Sequence, residues 1–189
     1  MIKFILLFLS FSFVVESKAQ SPTTVSQQDI DMINFAITDQ RYRIFLVTEM
    51  SPYNLDKIKK YVERGLFILR LVDENGKDIP DSIQLTQQDK DSIFFQLNTL
   101  KDFKWTLSDA KRINFNNVAM ICLDSSTSDR FDYAIKYHIV PPIYFQNHSY
   151  CILSFVYHCG PFCGHGQITI YKKTADGWKR WNNLMWWDE

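Results

Sequence analysis

The strongest pattern in the chain is a series of apolar runs that alternate with turn residues towards the C-terminus. The four runs lie at 143–146, 150–158, 165–173 and about 178–187. Runs of this length, rich in aromatic and β-branched residues and bounded by turn residues, are typical of strands in consecutive hairpins. Asp176-Gly177 has the composition of a tight hairpin turn. The pattern therefore predicts a C-terminal antiparallel β-meander.

The N-terminal half carries helix patterns instead. Two predicted helices open on capping boxes, in which the side chain of the first residue and that of the fourth bond free backbone N–H groups. The boxes are Ser26-Gln-Gln-Asp29 and Thr86-Gln-Gln-Asp89. Another predicted helix spans 55–64 and ends at Gly65, because glycine adopts the left-handed conformation easily. Together these elements predict an α+β fold, a single domain with N-terminal helices packed on an antiparallel sheet.

Two further features lie just before the meander and at its first turn. Residues 130–138 are predicted as a short helix that Pro141-Pro142 keeps from continuing. Asn147-His-Ser149 marks a turn and also matches an N-glycosylation sequon. His138 and His148 lie beside these turns and are interpreted as solvated loop histidines.

The first nineteen residues have the composition of a secretory signal peptide. Lys3 gives a positive start, 4–15 is an apolar run, and Ser17-Lys-Ala19 is a small-x-small cleavage site. The run is too short to cross the ~30 Å of hydrocarbon in a bilayer. We therefore expect an exported protein, periplasmic or extracellular, whose single globular domain spans 20–189. No transmembrane segment is expected after signal cleavage.

Charge and motifs narrow the possible functions. Lys+Arg and Asp+Glu number 21 each, and no long basic or acidic run occurs. A nucleic-acid partner held by phosphate contacts is therefore not expected. The chain also lacks a nucleophile elbow, a phosphate loop, a zinc-protease motif and a dinucleotide fingerprint. No catalytic residue is assigned.

The candidate chemistry lies in the segment His158-Cys159-Gly-Pro-Phe-Cys163-Gly-His165-Gly166. Export would place the four cysteines in an oxidising compartment, where disulfides persist. Cys159 and Cys163 flank three residues, which suits a bridge across the mouth of a hairpin. Cys122 and Cys151 could form a second bridge. Four cysteines allow three pairings, and the sequence does not choose among them.

The same segment has the residue types of a zinc site, namely His158, Cys159, Cys163 and His165. If Cys159 faces Cys163 across the hairpin, residue 158 pairs with 164 and residue 157 pairs with 165. The two histidines then point to opposite faces of the sheet unless a bulge brings them together. We expect no cofactor. If the segment binds a metal, these residue types predict zinc.

A further hypothesis is thiol redox chemistry, because Cys159-Gly-Pro resembles the start of a thioredoxin motif. That motif places two residues between its thiols and the N-terminus of a helix behind them. Here three residues separate the thiols, and the following glycines lead into a strand. The pattern therefore favours a structural loop over a redox centre.

Tryptophan is concentrated at the C-terminus. Four of the five tryptophans follow Lys173, and three of these, Trp181, Trp186 and Trp187, are candidates for exposed binding aromatics. Alternation along a strand puts Trp186 and Trp187 on opposite faces. Exposed tryptophans would serve a glycan or protein partner. The competing interpretation, which we favour, is a strand that closes the core.

A set of short motifs resembles a group of uncharacterised exported bacterial proteins. These carry an aromatic helix, a Pro-x-aromatic strand start, a Cys-Gly-x-x-Cys-Gly-x-Gly motif, a Gly-Trp-Lys turn and a terminal Trp-rich strand. The matching segments here are 131–137, 142–145, 159–166, 177–179 and 186–187. The cysteine motif departs in spacing, since three residues separate Cys159 and Cys163 here. The resemblance covers roughly residues 130–189 and implies an exported protein with a structural hairpin.

Two functional hypotheses follow from the sequence. The first is a non-catalytic exported domain with a binding or structural envelope role and a disulfide-stabilised C-terminal hairpin. The alternative is a metal-binding or thiol-active protein centred on the loop that contains His158, Cys159, Cys163 and His165. The partner would be a protein or a glycan.

Overall fold

The computed structural model describes residues 25–37, 45–48, 50–72, 78–113, 136–160 and 163–188. Its helices are α1 Gln27–Ala36, α2 Pro52–Arg64, α3 Gln87–Thr99 and α4 Leu107–Arg112, with a short 3₁₀ helix at Leu100–Asp102. Its strands are β1 Phe45–Leu46, β2 Leu66–Val72, β3 Asp78–Gln84, β4 Lys136–Phe145, β5 Tyr150–Gly160, β6 Cys163–Thr174 and β7 Gly177–Asp188.

The strands form two sheets. The larger has the order β1-β4-β5-β6-β7, in which β1 pairs parallel to β4 and all other neighbours are antiparallel. The smaller is the β2–β3 hairpin, whose strand β3 was not predicted from the sequence. Helices dominate the N-terminal half and an antiparallel meander ends the chain, so the predicted α+β fold is confirmed.

Local sequence signals set the helix boundaries. Each predicted capping box forms: Asp29 N donates to Ser26 Oγ at 3.1 Å, and Asp89 N donates to Thr86 Oγ1 at 3.1 Å. Helix α2 ends at Gly65, whose φ of 72° is left-handed as predicted. These signals act within one turn of helix, so they hold regardless of what packs around them.

The predicted helix at 130–138 is wrong for its last three residues, because β4 begins at Lys136 and runs through Pro141-Pro142; residues 130–135 lie outside the described part of the chain. Proline lacks a backbone donor and is tolerated at a sheet edge or bulge. The register of β4 against β5 shifts between Val140 and Ile143, which accommodates the pair.

Both faces of the large sheet are buried. On one face Tyr171 meets Phe35 of α1 in an edge-to-face contact with ring centroids 6.0 Å apart. On the other, Phe145 contacts Phe67 of the β2–β3 hairpin at 6.4 Å. Helix α1 thus packs on one face and the β2–β3 hairpin packs on the other, which explains why the strands are continuous apolar runs in the sequence.

Candidate binding groove at the β4–β5 turn

The turn between β4 and β5 is the most strained backbone among the described residues. Gln146, Asn147 and His148 have φ angles of 47°, 54° and 60°, so three successive non-glycine residues are left-handed. The turn is closed by Ser149 N, which donates to Gln146 O at 3.0 Å. Asn and His tolerate this conformation better than most residues, whereas Gln gains no such advantage. Backbone strain of this kind concentrates at functional sites.

Asp89, in the first turn of α3, holds the strained turn in place. Its Oδ2 accepts Thr86 N at 2.9 Å and Thr86 Oγ1 at 2.7 Å, and its carboxylate also accepts hydrogen bonds from the backbone and side chain of Gln146. Partial burial alone would raise the pKa of Asp89, but these hydrogen bonds outweigh it and lower the pKa below its ordinary value. The helix cap therefore also anchors the turn.

A groove of about 580 Å³ lies between the start of α3 and this turn. Ten of the described residues line it: Thr86, Gln88, Asp89, Ser92, Gln96, Tyr144, Phe145, Gln146, Asn147 and His148. No Lys or Arg is among them. Pockets of this size, with a few polar groups converging on an aromatic wall, are typical ligand sites.

The wall formed by β4 has its backbone edge closed. Gln96 Nε2 donates to Tyr144 O at 2.7 Å, and Gln96 Oε1 accepts Tyr144 N at 3.1 Å, as a neighbouring strand would. Further along β4, Trp105 Nε1 donates to Ile139 O at 2.9 Å. With Pro141 and Pro142 between these points, this stretch of β4 offers few free groups for pairing with another strand.

Aromatic rings continue the wall. The ring of Tyr144 lies 5.1 Å from that of His148 and 6.0 Å from that of Trp178, and both pairs are tilted. Tyr144 is buried with only 9% of its surface exposed, whereas His148 is exposed. Burial, with Cys151 and Asp29 nearby, raises the pKa of the Tyr144 hydroxyl, so it stays protonated. The Tyr144 ring thus supports an exposed imidazole at the rim of the groove.

The Cys/His loop lies at the opposite end of β5. His158 pairs with Gly164 and Tyr157 pairs with His165, as the sequence predicted. A register shift then follows, and Gly160 pairs with Cys163, so the backbone of Cys159 does not stand directly opposite Cys163 as assumed. The shift takes up one residue at the end of the ladder, as a bulge does.

The two histidines of the loop are kept apart by the sheet. His158 lies beside His138 on one face, with ring centroids 6.0 Å apart, and His165 stacks on Tyr157 on the other at 5.5 Å. Within the described ranges no three His, Cys, Asp or Glu side chains gather as metal ligands. Cys159 completes the predicted ligand set, but its side chain is outside the described part.

The cysteines divide into different states. Cys151 is a free thiol, fully buried in the sheet, so the predicted bridge between Cys122 and Cys151 is wrong. Its side chain lies in the core near Asp29 of α1, and burial raises its pKa well above the ordinary value. Cys163 is disulfide-bonded. Cys122 lies outside the described residues, as does the side chain of Cys159, so the pairing of Cys159 with Cys163 stays a prediction.

His138 is not the solvated loop histidine that the sequence suggested, because β4 carries it into the sheet. Its Nδ1 is buried without a hydrogen-bond partner. Burial first, and then the positive charges of His158 and Lys136, lower its pKa to about 4. His148 is exposed in the turn, as expected.

Trp181 is not an exposed binding aromatic. Only 8% of its surface is exposed, and its Nε1 donates to Asp81 Oδ2 at 2.6 Å on the β2–β3 hairpin. It closes the core, which is the interpretation that the sequence favoured. Trp186 and Trp187 pair with Gln167 and Gly166, so their backbone positions alternate in face, but their side chains lie outside the described part.

Sequence reasoning missed the groove because its two walls are far apart in the chain. The signals were present separately: the Thr86 capping box predicted the start of α3, and Asn147-His-Ser149 predicted the turn. Neither signal predicts that Asp89 bonds Gln146, which lies 57 residues further along the chain.

Comparison with protein-family models, with curated proteins and with solved structures found no match for this chain. Among the helices that the structure describes, none is both long enough and apolar enough to cross a membrane.

Proposed function

We propose that this chain is an exported, non-catalytic binding domain whose ligand occupies the groove between α3 and the β4–β5 turn. The observation that carries the proposal is the left-handed run of Gln146, Asn147 and His148 at the rim of the groove. A strained segment persists only where its surroundings hold it, and such segments cluster at sites that must present side chains in one arrangement.

The bonds of Asp89 support the proposal. They fix the turn to a helix start, so the rim of the groove is already ordered before a ligand arrives. Preorganisation of this kind favours affinity because less freedom is lost on binding. The predicted disulfide between Cys159 and Cys163 would fix the β5–β6 turn at the other end of strand β5.

The metal or thiol alternative gains no support from the described residues. His158 and His165 face opposite sides of the sheet, and Cys151 is a buried thiol. Thiolate reactivity requires exposure and a lowered pKa, and burial raises that of Cys151. The proposal therefore places binding at the turn end of β5.

The test is to fill the groove. Ser92→Trp puts an indole into it from α3, and Phe95→Trp puts one on the same helix at a site that is 70% exposed and does not line the groove. The unmodified chain and the Phe95 variant should show the same rise in Tm with a ligand from a panel of oligosaccharides and peptides. The Ser92 variant should show none.

An equal rise in Tm for all three proteins would place the ligand elsewhere and contradict the proposal. The ligand should also be recovered unchanged by mass spectrometry. A chemically altered product would contradict the non-catalytic part of the proposal.

A further inference from the structure

The groups that remain available in the groove are amides, a hydroxyl and an imidazole. Gln88 and Ser92 are exposed on α3, and Asn147 and His148 are exposed on the turn. Among the described residues of the lining the acidic one is Asp89, whose carboxylate already accepts bonds from Thr86 and Gln146. With no Lys or Arg among these described lining residues, an anionic ligand would meet a carboxylate there and no lysine or arginine as countercharge.

These exposed groups suit a ligand that is rich in both donors and acceptors; Ser92 Oγ accepts Gln96 Nε2 at 3.5 Å, and its hydroxyl proton can still be donated to a ligand. Amides and hydroxyls donate and accept hydrogen bonds, so they match hydroxyl groups, which do the same. A buried polar group left without a partner lowers affinity, so a purely apolar ligand would fit poorly. The lining therefore favours a neutral ligand that carries many hydroxyls.

An extended peptide is disfavoured by the closed edge of β4. Strand addition needs free backbone N–H and C=O groups. Gln96 takes both backbone groups of Tyr144, and Pro141 and Pro142 have no N–H to offer. A peptide would have to bind through its side chains alone.

The ring of His148 adds an apolar surface at the rim. It lies 5.1 Å from the buried ring of Tyr144, which supports it from behind. A pyranose ring has hydroxyls around its edge and an apolar C–H face, so it can rest on such a ring while its hydroxyls reach Gln88 and Asn147.

We infer that the groove binds a neutral saccharide, with His148 as the surface on which a sugar ring stacks and with Gln88, Ser92 and Asn147 as its hydrogen-bond partners. This inference rests on the proposed binding function of the groove and names its ligand class.

The test uses isothermal titration of the whole chain with neutral hexasaccharides, namely cellohexaose, xylohexaose, maltohexaose and chitohexaose. The groove variants are His148→Asn, which keeps a residue that tolerates the left-handed conformation, and the double change Gln88→Ala with Ser92→Ala. Phe95→Ala is the control on the same helix. We expect one neutral hexasaccharide to bind, at least tenfold more weakly to both groove variants and equally well to the control.

Two further ligands, a hexagalacturonate and a mixture of random hexapeptides, separate the possible failures. Their binding is followed by the ¹H–¹⁵N signals of the Gln88 and Asn147 side-chain amides. If no neutral hexasaccharide binds, or if the groove variants bind it unchanged, the saccharide inference is overturned. If one of the other ligands then shifts both amides, the binding function of the groove stands; if none does, both proposals fail.

Discussion

The two ends of β5 differ in backbone strain and in the hydrogen bonding of nearby polar groups. We call the Tyr150 end the turn end and the Gly160 end the loop end. At the Tyr150 end the turn backbone is strained, but Gln146 is bonded by Asp89 and its carbonyl oxygen accepts Ser149 N–H. At the Gly160 end the backbone follows the ladder, but the Nδ1 of His138 is buried without a hydrogen bond. The contrast teaches that strain compensated by hydrogen bonds can build a site, whereas an unpartnered base makes stability depend on pH.

The largest expected effect is at the loop end, where lowering the pH should destabilise the protein because His138 is harder to protonate when folded than when unfolded. Its pKa is about 4 in the folded protein and 6.5 ordinarily, so the unfolded chain takes up the proton first. Stability should be full above pH 6.5 and fall as the pH drops towards 4, by about 3 kcal/mol at most. Urea unfolding at pH 7.5 and pH 4.5 measures this loss.

The variant His138→Phe should remove most of that loss, and the exposed His148→Asn should leave it unchanged. An identical pH dependence in the unmodified chain and the His138 variant would show that other groups carry it, and the contrast between the two ends would then lose its basis.

The next effect is at the turn end. Asp89→Asn should lower the free energy of unfolding by about 2 kcal/mol, because a charged acceptor shared by Thr86 and Gln146 is lost. The control is Asp176→Asn in the β6–β7 turn, where the carboxylate meets only the exposed Lys179 at 3.1 Å. There we expect a change within about 0.5 kcal/mol. Urea unfolding of both variants at pH 7.5 measures the two changes. Equal losses in the free energy of unfolding would mean that Asp89 does not hold the turn.

The loop end offers a redox comparison of similar or smaller size. If Cys163 pairs with Cys159, the closed loop is short, and reduction should lower stability by about 2 kcal/mol or less. Unfolding with and without dithiothreitol measures the loss, which Cys163→Ser should abolish. A loss of about 4 kcal/mol would indicate instead that Cys163 closes the longer loop with Cys122.

The smallest effect tests the strain itself. Asn147→Gly should raise the free energy of unfolding by about 0.5 kcal/mol, because glycine reaches the left-handed region without the penalty of a side chain. Gly177→Ala, at a φ of 113° with open space around it, should lower it by about 1 kcal/mol. Thermal unfolding compares the two. A loss of stability in Asn147→Gly would mean that the Asn side chain contributes more to the turn than its backbone penalty removes.

Elements set by neighbouring residues were predictable. Ser26, Thr86 and Gly65 bond or bend the backbone within a few positions, and the alternating turn signals marked the C-terminal strands. The pairing of His158 with Gly164 followed from the expected hairpin. By contrast, the extension of β4 through Pro141-Pro142 could not be predicted locally, because proline is tolerated in a strand only at a sheet edge or bulge, and the pairing of β4 with β5 decides where that bulge lies.

The sequence by itself determined the α+β class, the starts of two helices and the pairing of Tyr157 and His158 in the β5–β6 hairpin, because these depend on short-range bonds and on strand periodicity. Only the tertiary structure decided that Cys151 is buried as a free thiol, that Trp181 packs on Asp81 and that Asp89 clamps the turn at Gln146. Each of these joins segments far apart in the chain, where the approach of two surfaces, and not the local pattern, chooses the partner of a polar group.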